Sequence, residues 1–344
     1  MSHSPNNTYT QPAKFLVIGD LCVDVFMQVA AYPAEGGDGT VQRMHQHAGG
    51  SAANTAIALA RLGGAPILLT HTGKDTWAQQ VLPVLQQSGV VVDHIVQEEN
   101  AKTGLTFLVV SQDAERTMFT YRGANRNLQP EEINEELFED VCGLHISSYA
   151  CLAQPQSEAV LKAVGLAQQR DVTISLDVGV EPASMAGDLI RQLLPSLSLI
   201  ILGDPEAIAI TNKSNLPDAL NALIESGVKL IGLKLGKAGC RLLSKDQDIN
   251  LNGFSVEAID STGAGDAFCA GMLHGITHQW SQKMSGTFAN ALGALVTTRW
   301  GAGEELPTLK EVLAFLQLQK NISYDPIIEQ ILKQLERETE VKNG

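Results

Sequence analysis

Positive charge is scarce in this 344-residue sequence: 24 Lys and Arg stand against 38 Asp and Glu, for a net charge of −14. Binding a polyanion needs clustered cations, so nucleic acid is excluded as a partner. Long apolar runs are missing too. None reaches the roughly 18 residues of a membrane helix, and the opening MSHSPNNTYTQP lacks the apolar segment of a secretory signal. No membrane partner is expected, and residues 1–12 read as a disordered lead-in. Cysteine is sparse: Cys22, Cys142, Cys151, Cys240 and Cys269 form no C-x-x-C pair and have no metal-like spacing. Each sits among apolar neighbours and reads as a small buried hydrophobe, with the cytoplasm as the expected compartment. No internal repeat and no low-complexity linker divides the chain.

What is present is a 44% hydrophobic chain with an ordered alternation of strand and helix patterns. KFLVIGD, from Lys14 to Asp20, is a short apolar run ended by glycine, as in a buried strand. Ser51 to Leu62 has helical spacing and is stopped by Gly63-Gly64. A strand is expected at Ala65–Thr70 and a helix at Thr76–Ser88. Strands follow at Leu144–Ile146, Val172–Asp177, Leu199–Leu202 and Leu230–Lys234, with helices between them. Helices are expected at Gly265–Ile276, Lys283–Thr298 and Asp325–Glu340. The βαβα order predicts an α/β fold: a mostly parallel sheet covered by helices. Two stretches break the alternation. Residues 31–48 contain a turn and an exposed strand, and GLTFLVVS with ERTMFTYR flanks the turn QDA as a hairpin. Paired, these excursions form a small sheet over an active site.

Four stretches carry candidate chemistry. In DSTGAGDAFCAG, residues 260–271, Gly263, Ala264, Gly265 and Asp266 precede or open a helix. First-turn N–H groups lack intrahelical partners, the helix dipole adds positive potential, and glycine lets a bulky anion approach. That suits a transferring phosphoryl group, with Asp266 as proton acceptor; a turn with a capping Asp reads equally well. In AGGSAANTAIALARL, Gly49-Gly50 stand before a helix with Asn54 in its first turns, facing a polyol or simply forming a polar helix start. GDLCVD places Asp20 and Asp24 past the first strand, where ligands of α/β sheets bind. KLGKAGCRLL offers a glycine-rich loop but not G-x-x-x-x-G-K-[ST], and no G-x-G-x-x-G accompanies it.

In this order and spacing, AGGSAANTA and DSTGAGDAFCAG resemble the ribokinase-like (PfkB) carbohydrate kinases over residues 14–319. The resemblance implies a doubly wound, mostly parallel α/β body with helices on both faces and a small β lid. It implies a kinase domain at 13–319, a lid from about 31–48 and 101–125, and a helical extension at 320–344. Asp266 matches the catalytic base, with Gly263, Ala264 and Gly265 as anion hole. Asp24, Gly49, Gly50 and Asn54 match sugar-binding positions, and YRGAN, with Asn125, matches a lid strand and turn. Lys234, Gly236 and Gly239 match the nucleotide loop, and Asn290 a position near adenine. Asp260 and the GAG loop at Gly301–Gly303 match a monovalent-cation region. The family's N-x-x-E reads GDPE here: Glu206 stands at the magnesium-organising position, while Gly203 replaces the Asn and Asp204 is a substitute candidate. The implied activity is ATP-dependent phosphorylation of a sugar or sugar acid with Mg2+, and K+ as a further cofactor. A homodimer through the lid is expected. A nucleoside kinase is the alternative, and a catalytically silent binding protein a further one.

Overall fold

The computed structural model describes residues 12–111, 116–322 and 325–343, so the lead-in at 1–12 falls almost wholly outside the described residues, as does the turn at 112–114. The strands are β1 (Lys14–Ile18), β2 (Cys22–Val29), β3 (Val41–Gly49), β4 (Ala65–Gly73), β5 (Ile95–Glu98), β6 (Gly104–Val110), β7 (Arg116–Tyr121), β8 (Val141–Ser147), β9 (Thr173–Asp177), β10 (Leu199–Leu202), β11 (Ile231–Lys234), β12 (Gly239–Leu243) and β13 (Asp248–Asn252). The helices are α1 (Ser51–Arg61), α2 (Thr76–Ser88), α3 (Gln156–Gln169), α4 (Val180–Met185), α5 (Gly187–Leu193), α6 (Asp204–Thr211), α7 (Leu216–Glu225), α8 (Ala264–Thr277), α9 (Gln282–Thr297), α10 (Leu309–Ile322) and α11 (Pro326–Asn343).

A nine-stranded sheet runs in the order β13-β12-β11-β10-β9-β8-β1-β4-β5. It is parallel from β11 to β5, with β12 and β13 antiparallel at one edge. β1 reads as an unbroken apolar run because both its faces are covered. Leu16 and Ile18 join one core cluster with residues of α3, α5, α6 and α7, while Phe15 and Val17 join a second with α1, α2, α8, α9, α10 and α11. The chain leaves β1 toward β4 on one side and β8 on the other. That strand-order reversal opens a crevice at the carboxyl ends of the strands.

A second sheet, β3-β2-β6-β7, stands apart. It takes in β2, so the lid begins at Cys22, earlier than the excursion expected from 31. β2 follows β1 after only three residues, and Asp24 near its start makes GDLCVD look like a loop in the sequence. The end of β7 is tied to the body: Arg122 makes two bonds to the Asp20 carboxylate at 2.6 and 2.7 Å, and a third to Gln156 at 2.6 Å.

The carboxyl-terminal helices are not an appendage. The expected boundary at 320 lies inside α10, and α11 buries Ile328, Ile331, Leu332 and Leu335 in the core shared with α1 and α8. Leu335→Ala is therefore expected to cost about 2–5 kcal/mol of global stability, by lost burial and an unfilled cavity. The denaturant midpoint reads it; a change confined to local fraying of α11 would contradict this packing. No helix among the described residues is long and apolar enough to cross a membrane.

Candidate active site

The strand ends deliver their polar residues to one crevice. Asp20 follows β1, Asp177 ends β9 and Lys234 ends β11. α8 enters from the other side. Its N-cap, Gly263, has φ 76°, a left-handed conformation natural to glycine, and a Cβ there would lie 2.7 Å from that of Ala302. Asp266 sits in the first turn of α8. Its carboxylate accepts from Ser51 Oγ at 2.8 Å and from Asn54 Nδ2 at 2.9 Å, so the first turn of α1 orients it. Asn54 Oδ1 in turn accepts from Gly303 N–H at 3.2 Å, which fixes the amide's rotamer. Burial pushes the Asp266 carboxyl up to about 6, aided by the Asp177 charge, against the pull of Asn54, Ser51 and Lys234.

Lys234 Nζ pairs with Asp177 at 2.8 Å. The lysine expected in the nucleotide loop is thus already matched to a carboxylate that no sequence motif singles out. Its charge stands between two cavities, which meet at Gly265. The first, about 530 Å³, is lined by Gly236, Gly239, Phe254, Ala264, Phe268 and Asn290. It gathers the glycine-rich loop and Asn290, whose Nδ2 donates to the Leu251 and Asn252 carbonyls. The second, about 330 Å³, is lined by Asp24, Gly50, Asn54, Tyr149, Glu206 and Asp266, and roofed by Thr106, Leu108, Met118 and Thr120 of the lid. A further cavity of about 410 Å³ lies elsewhere, between residues of α7 and the β12-β13 hairpin. Gly49 and Gly50 are there for space. A Cβ on Gly49 would meet the Asp24 carboxylate at 2.1 Å, and one on Gly50, at φ 92°, the Asp20 carbonyl at 2.3 Å.

Several expectations change. Asn125 does not reach the cavity. It is 0% exposed; its Oδ1 accepts from Leu21 N–H and Thr70 Oγ, and its Nδ2 donates to the Leu21 and Arg122 carbonyls. It is a structural pin at the foot of the lid. On β7, alternation puts Phe119 and Tyr121 on the face away from the cavity, where they are 61% and 53% exposed. Met118 and Thr120 face inward instead. Asp204 is exposed and absent from the cavity lining. Glu206 lines the cavity while its carboxylate accepts from Gly203 N–H at 3.0 Å, which caps α6. Asp260 accepts from Thr262 N–H and Oγ and from Gly301 N–H at 2.9 Å, holding the GAG loop against the start of α8. Tyr149, Ser51 and Asp177 escape sequence reading because nothing local in SSYACL, a helix first residue or a strand end distinguishes them from ordinary polar positions. Cys142 is half-buried and the other cysteines are buried; all are free.

The sequence of residues 12–309 matches the model of the pfkB family carbohydrate kinases. Among curated proteins, the chain is 32% identical over 286 residues to "Probable fructokinase-2" of Arabidopsis thaliana, covering 79% of this chain and 87% of that one. It is 31% identical over 284 residues to fructokinase-1 of Zea mays, covering 78% and 88%. Among solved structures, the fructokinase with bound ATP from Xylella fastidiosa superposes with a TM-score of 0.79 at 26% identity, over 89% of this chain and 99% of that one. The family match spans the strand ends, the lid and the start of α8 that build the two cavities, and the chain belongs to the pfkB family of carbohydrate kinases.

Proposed function

We propose that the chain transfers the γ-phosphoryl group of ATP to a hydroxymethyl oxygen of a neutral sugar, with fructose the first candidate. One observation carries the reading: Asp266 lines the second cavity next to Gly265, where the two cavities meet, half-buried, hydrogen-bonded to Ser51 and Asn54, beside the first-turn amides of α8. In this reading Asp24 and Asn54 hold sugar hydroxyls, and Asp266 takes the proton of the attacking hydroxyl. The oxygen bonds to phosphorus as the bond to ADP breaks. The amides around Gly263, Ala264 and Gly265 receive the developing negative charge. Adenine and ribose occupy the cavity of Gly236, Gly239 and Asn290. Glu206, a hard oxygen donor on the cavity wall, fits a magnesium ion held mainly by water and nucleotide phosphates. Bound there, magnesium would neutralise phosphate charge. The lid keeps water from competing as acceptor.

The charges argue for a neutral acceptor over a sugar acid. Asp20, Asp24, Asp177, Glu206 and Asp266 line the sugar cavity, and the one cation in its described lining, Lys234, is paired with Asp177. Arg122, the cation at the end of β7, is taken by Asp20 and Gln156. The lid offers Thr106, Leu108, Met118 and Thr120 and, among the described residues, no ring toward the cavity, which leaves a nucleobase only Tyr149 of the body to stack on and disfavours a nucleoside. The name of the fructokinase relatives then orders the neutral sugars. ADP release measured across fructose, ribose, glucose, a sugar acid and adenosine is expected to be fastest with fructose. Turnover of adenosine alone would overturn the reading.

Three further points belong to it. The exposed Phe119 and Tyr121 fit a homodimer through the lid, and five free thiols fit a reducing cytoplasm. A potassium ion near Asp260 and the GAG loop would act on the anion hole through Gly263, which packs on Ala302. Turnover is expected to be higher in potassium chloride than in a bulky organic chloride of equal ionic strength; equal rates would remove the ion from the scheme.

A further inference from the structure

Far from both cavities, the end of α8 holds a cluster that the kinase chemistry does not use. His274 lies in the last turn of α8 and His278 caps it. A spacing of four puts both on one face of the helix. Their rings stack with centroids 4.1 Å apart and planes 24° off parallel, so their edges present in the same direction. Glu338 comes from α11, with Oε2 lying 3.2 Å from His274 Nε2 and 3.8 Å from His278 Nε2. Among the described residues, this is the one group of three His, Cys, Asp or Glu side chains whose ligand atoms all fall within 4.8 Å of one another.

We propose that His274, His278 and Glu338 bind a divalent transition-metal ion of the zinc type, which ties α11 to the helix that carries Asp266. Three observations support it. The first is distance. Zinc bonds of about 2.0–2.2 Å in a tetrahedron place neighbouring donor atoms about 3.3–3.6 Å apart; Glu338 Oε2 lies 3.2 and 3.8 Å from the two ring nitrogens, and all three atoms fall within 4.8 Å of one another. The second is tautomer. His278 Nδ1 lies 2.8 Å from the His274 carbonyl, which can only accept. Nδ1 therefore carries a proton, and in the neutral ring Nε2, the atom facing Glu338, carries the lone pair a metal requires. The third is an unmet polar atom. His274 is 5% exposed, and among the described residues its Nε2 has only Glu338 for a neighbour, at 3.2 Å but outside hydrogen-bond geometry. A buried ring nitrogen left so is costly, and a metal would satisfy it.

The surroundings have the features of an outer shell. Glu338 Oε1 accepts from Trp280 Nε1 at 3.1 Å and from Gln334 Nε2 at 3.2 Å, which leaves Oε2 turned to the imidazoles. Trp280 and Phe288 pack against the His274 ring at 5.2 and 5.4 Å between centroids and keep one side dry. Two nitrogens and one carboxylate leave a fourth position for water, and this donor set suits zinc over magnesium or calcium.

The test uses the full chain, stripped of metal with a chelator and exchanged into metal-free buffer. Calorimetric titration with Zn2+ alone is expected to show one equivalent bound at micromolar or lower concentration, and the melting temperature to rise by a few degrees at saturating zinc. His278→Ala and Glu338→Gln should each weaken binding by at least about tenfold and abolish the melting shift. Both are read against their own metal-free melting curves, and Glu338→Gln keeps the volume and the Trp280 contact if His278→Ala fails to fold. No binding at micromolar zinc, or equal binding and equal melting shifts in wild type and Glu338→Gln, would overturn the site.

Discussion

Asp266→Asn is expected to lower kcat by about 10²–10⁴-fold, the usual contribution of a positioned general base. The change removes one proton acceptor and little else. Asn has nearly the same volume as Asp, and the amides of the α8 first turn remain, because they belong to the backbone. The KM for ATP should therefore stay within a few-fold. The introduced carboxamide can still accept from Ser51, but its NH2 group would face that of Asn54, so a small rise in KM for the sugar is allowed. The pH profile gives an independent reading. Burial, with Asp177 close by, raises the Asp266 carboxyl to about 6. A base works only when deprotonated. The kcat/KM of the wild type should thus fall as pH drops through about 6 and be flat above it. Lys234 pulls that value down, so Lys234→Met should move the acid limb to higher pH, with Asp177 left unpaired beside Asp266. A variant at position 266 retaining more than half of wild-type turnover, or an acid limb near pH 4, would remove Asp266 from the role.

Most of the body can be read from residue patterns because its elements are locally consistent. β1 and β10 are short apolar runs buried on both faces, and α2 is legible to the residue because Asp75 caps its start and Gly89 ends it in a left-handed conformation. The start of α8 is legible for a similar reason: a glycine at φ 76° before a helix, followed by an Asp in the first turn, leaves a mark in the sequence. The partners of that site leave none. Asp177 and Lys234 end β9 and β11, and strand ends carry polar residues everywhere. Only the sheet order, which places the two strands on either side of β10, brings them within 2.8 Å. Asn125 shows the opposite failure. A polar residue after a lid strand looks like a ligand contact, yet the chain folds it inward, and its amide spends itself on Leu21, Thr70 and Arg122. Which face of β7 points inward depends on pairing with β6, where Thr106 sits opposite Thr120 and Phe107 opposite Phe119. Alternation alone defines two faces and cannot say which one is covered.

Asp24→Ala is expected to reduce kcat/KM for the sugar by about 10–100-fold, the loss of one hydrogen bond to a charged group worth roughly 1.5–3 kcal/mol. The KM for ATP should change by less than a few-fold. The separation follows from placement. Asp24 sits on β2 of the lid, with Thr106 of β6 and His47 of β3 as its neighbours in register, and it faces the cavity of Gly50 and Asn54. The nucleotide-side cavity is lined from β11, α8 and α9 and contains no lid residue among those described. Substitution at 24 also spares the backbone, since its carboxylate lies over Gly49, where removing atoms creates room and no clash. A plain fall in activity would still be open to a general loosening of the lid, so the decisive form is a cycle. With wild type, one deoxy analogue of the sugar, lacking the hydroxyl that Asp24 holds, should be poorer than its parent by the same 10–100-fold. With Asp24→Ala, that analogue and the parent should become equivalent, because the interaction is already gone from the protein side. If every deoxy analogue loses as much on the variant as on the wild type, Asp24 does not touch the sugar, and its place in the cavity serves the lid alone.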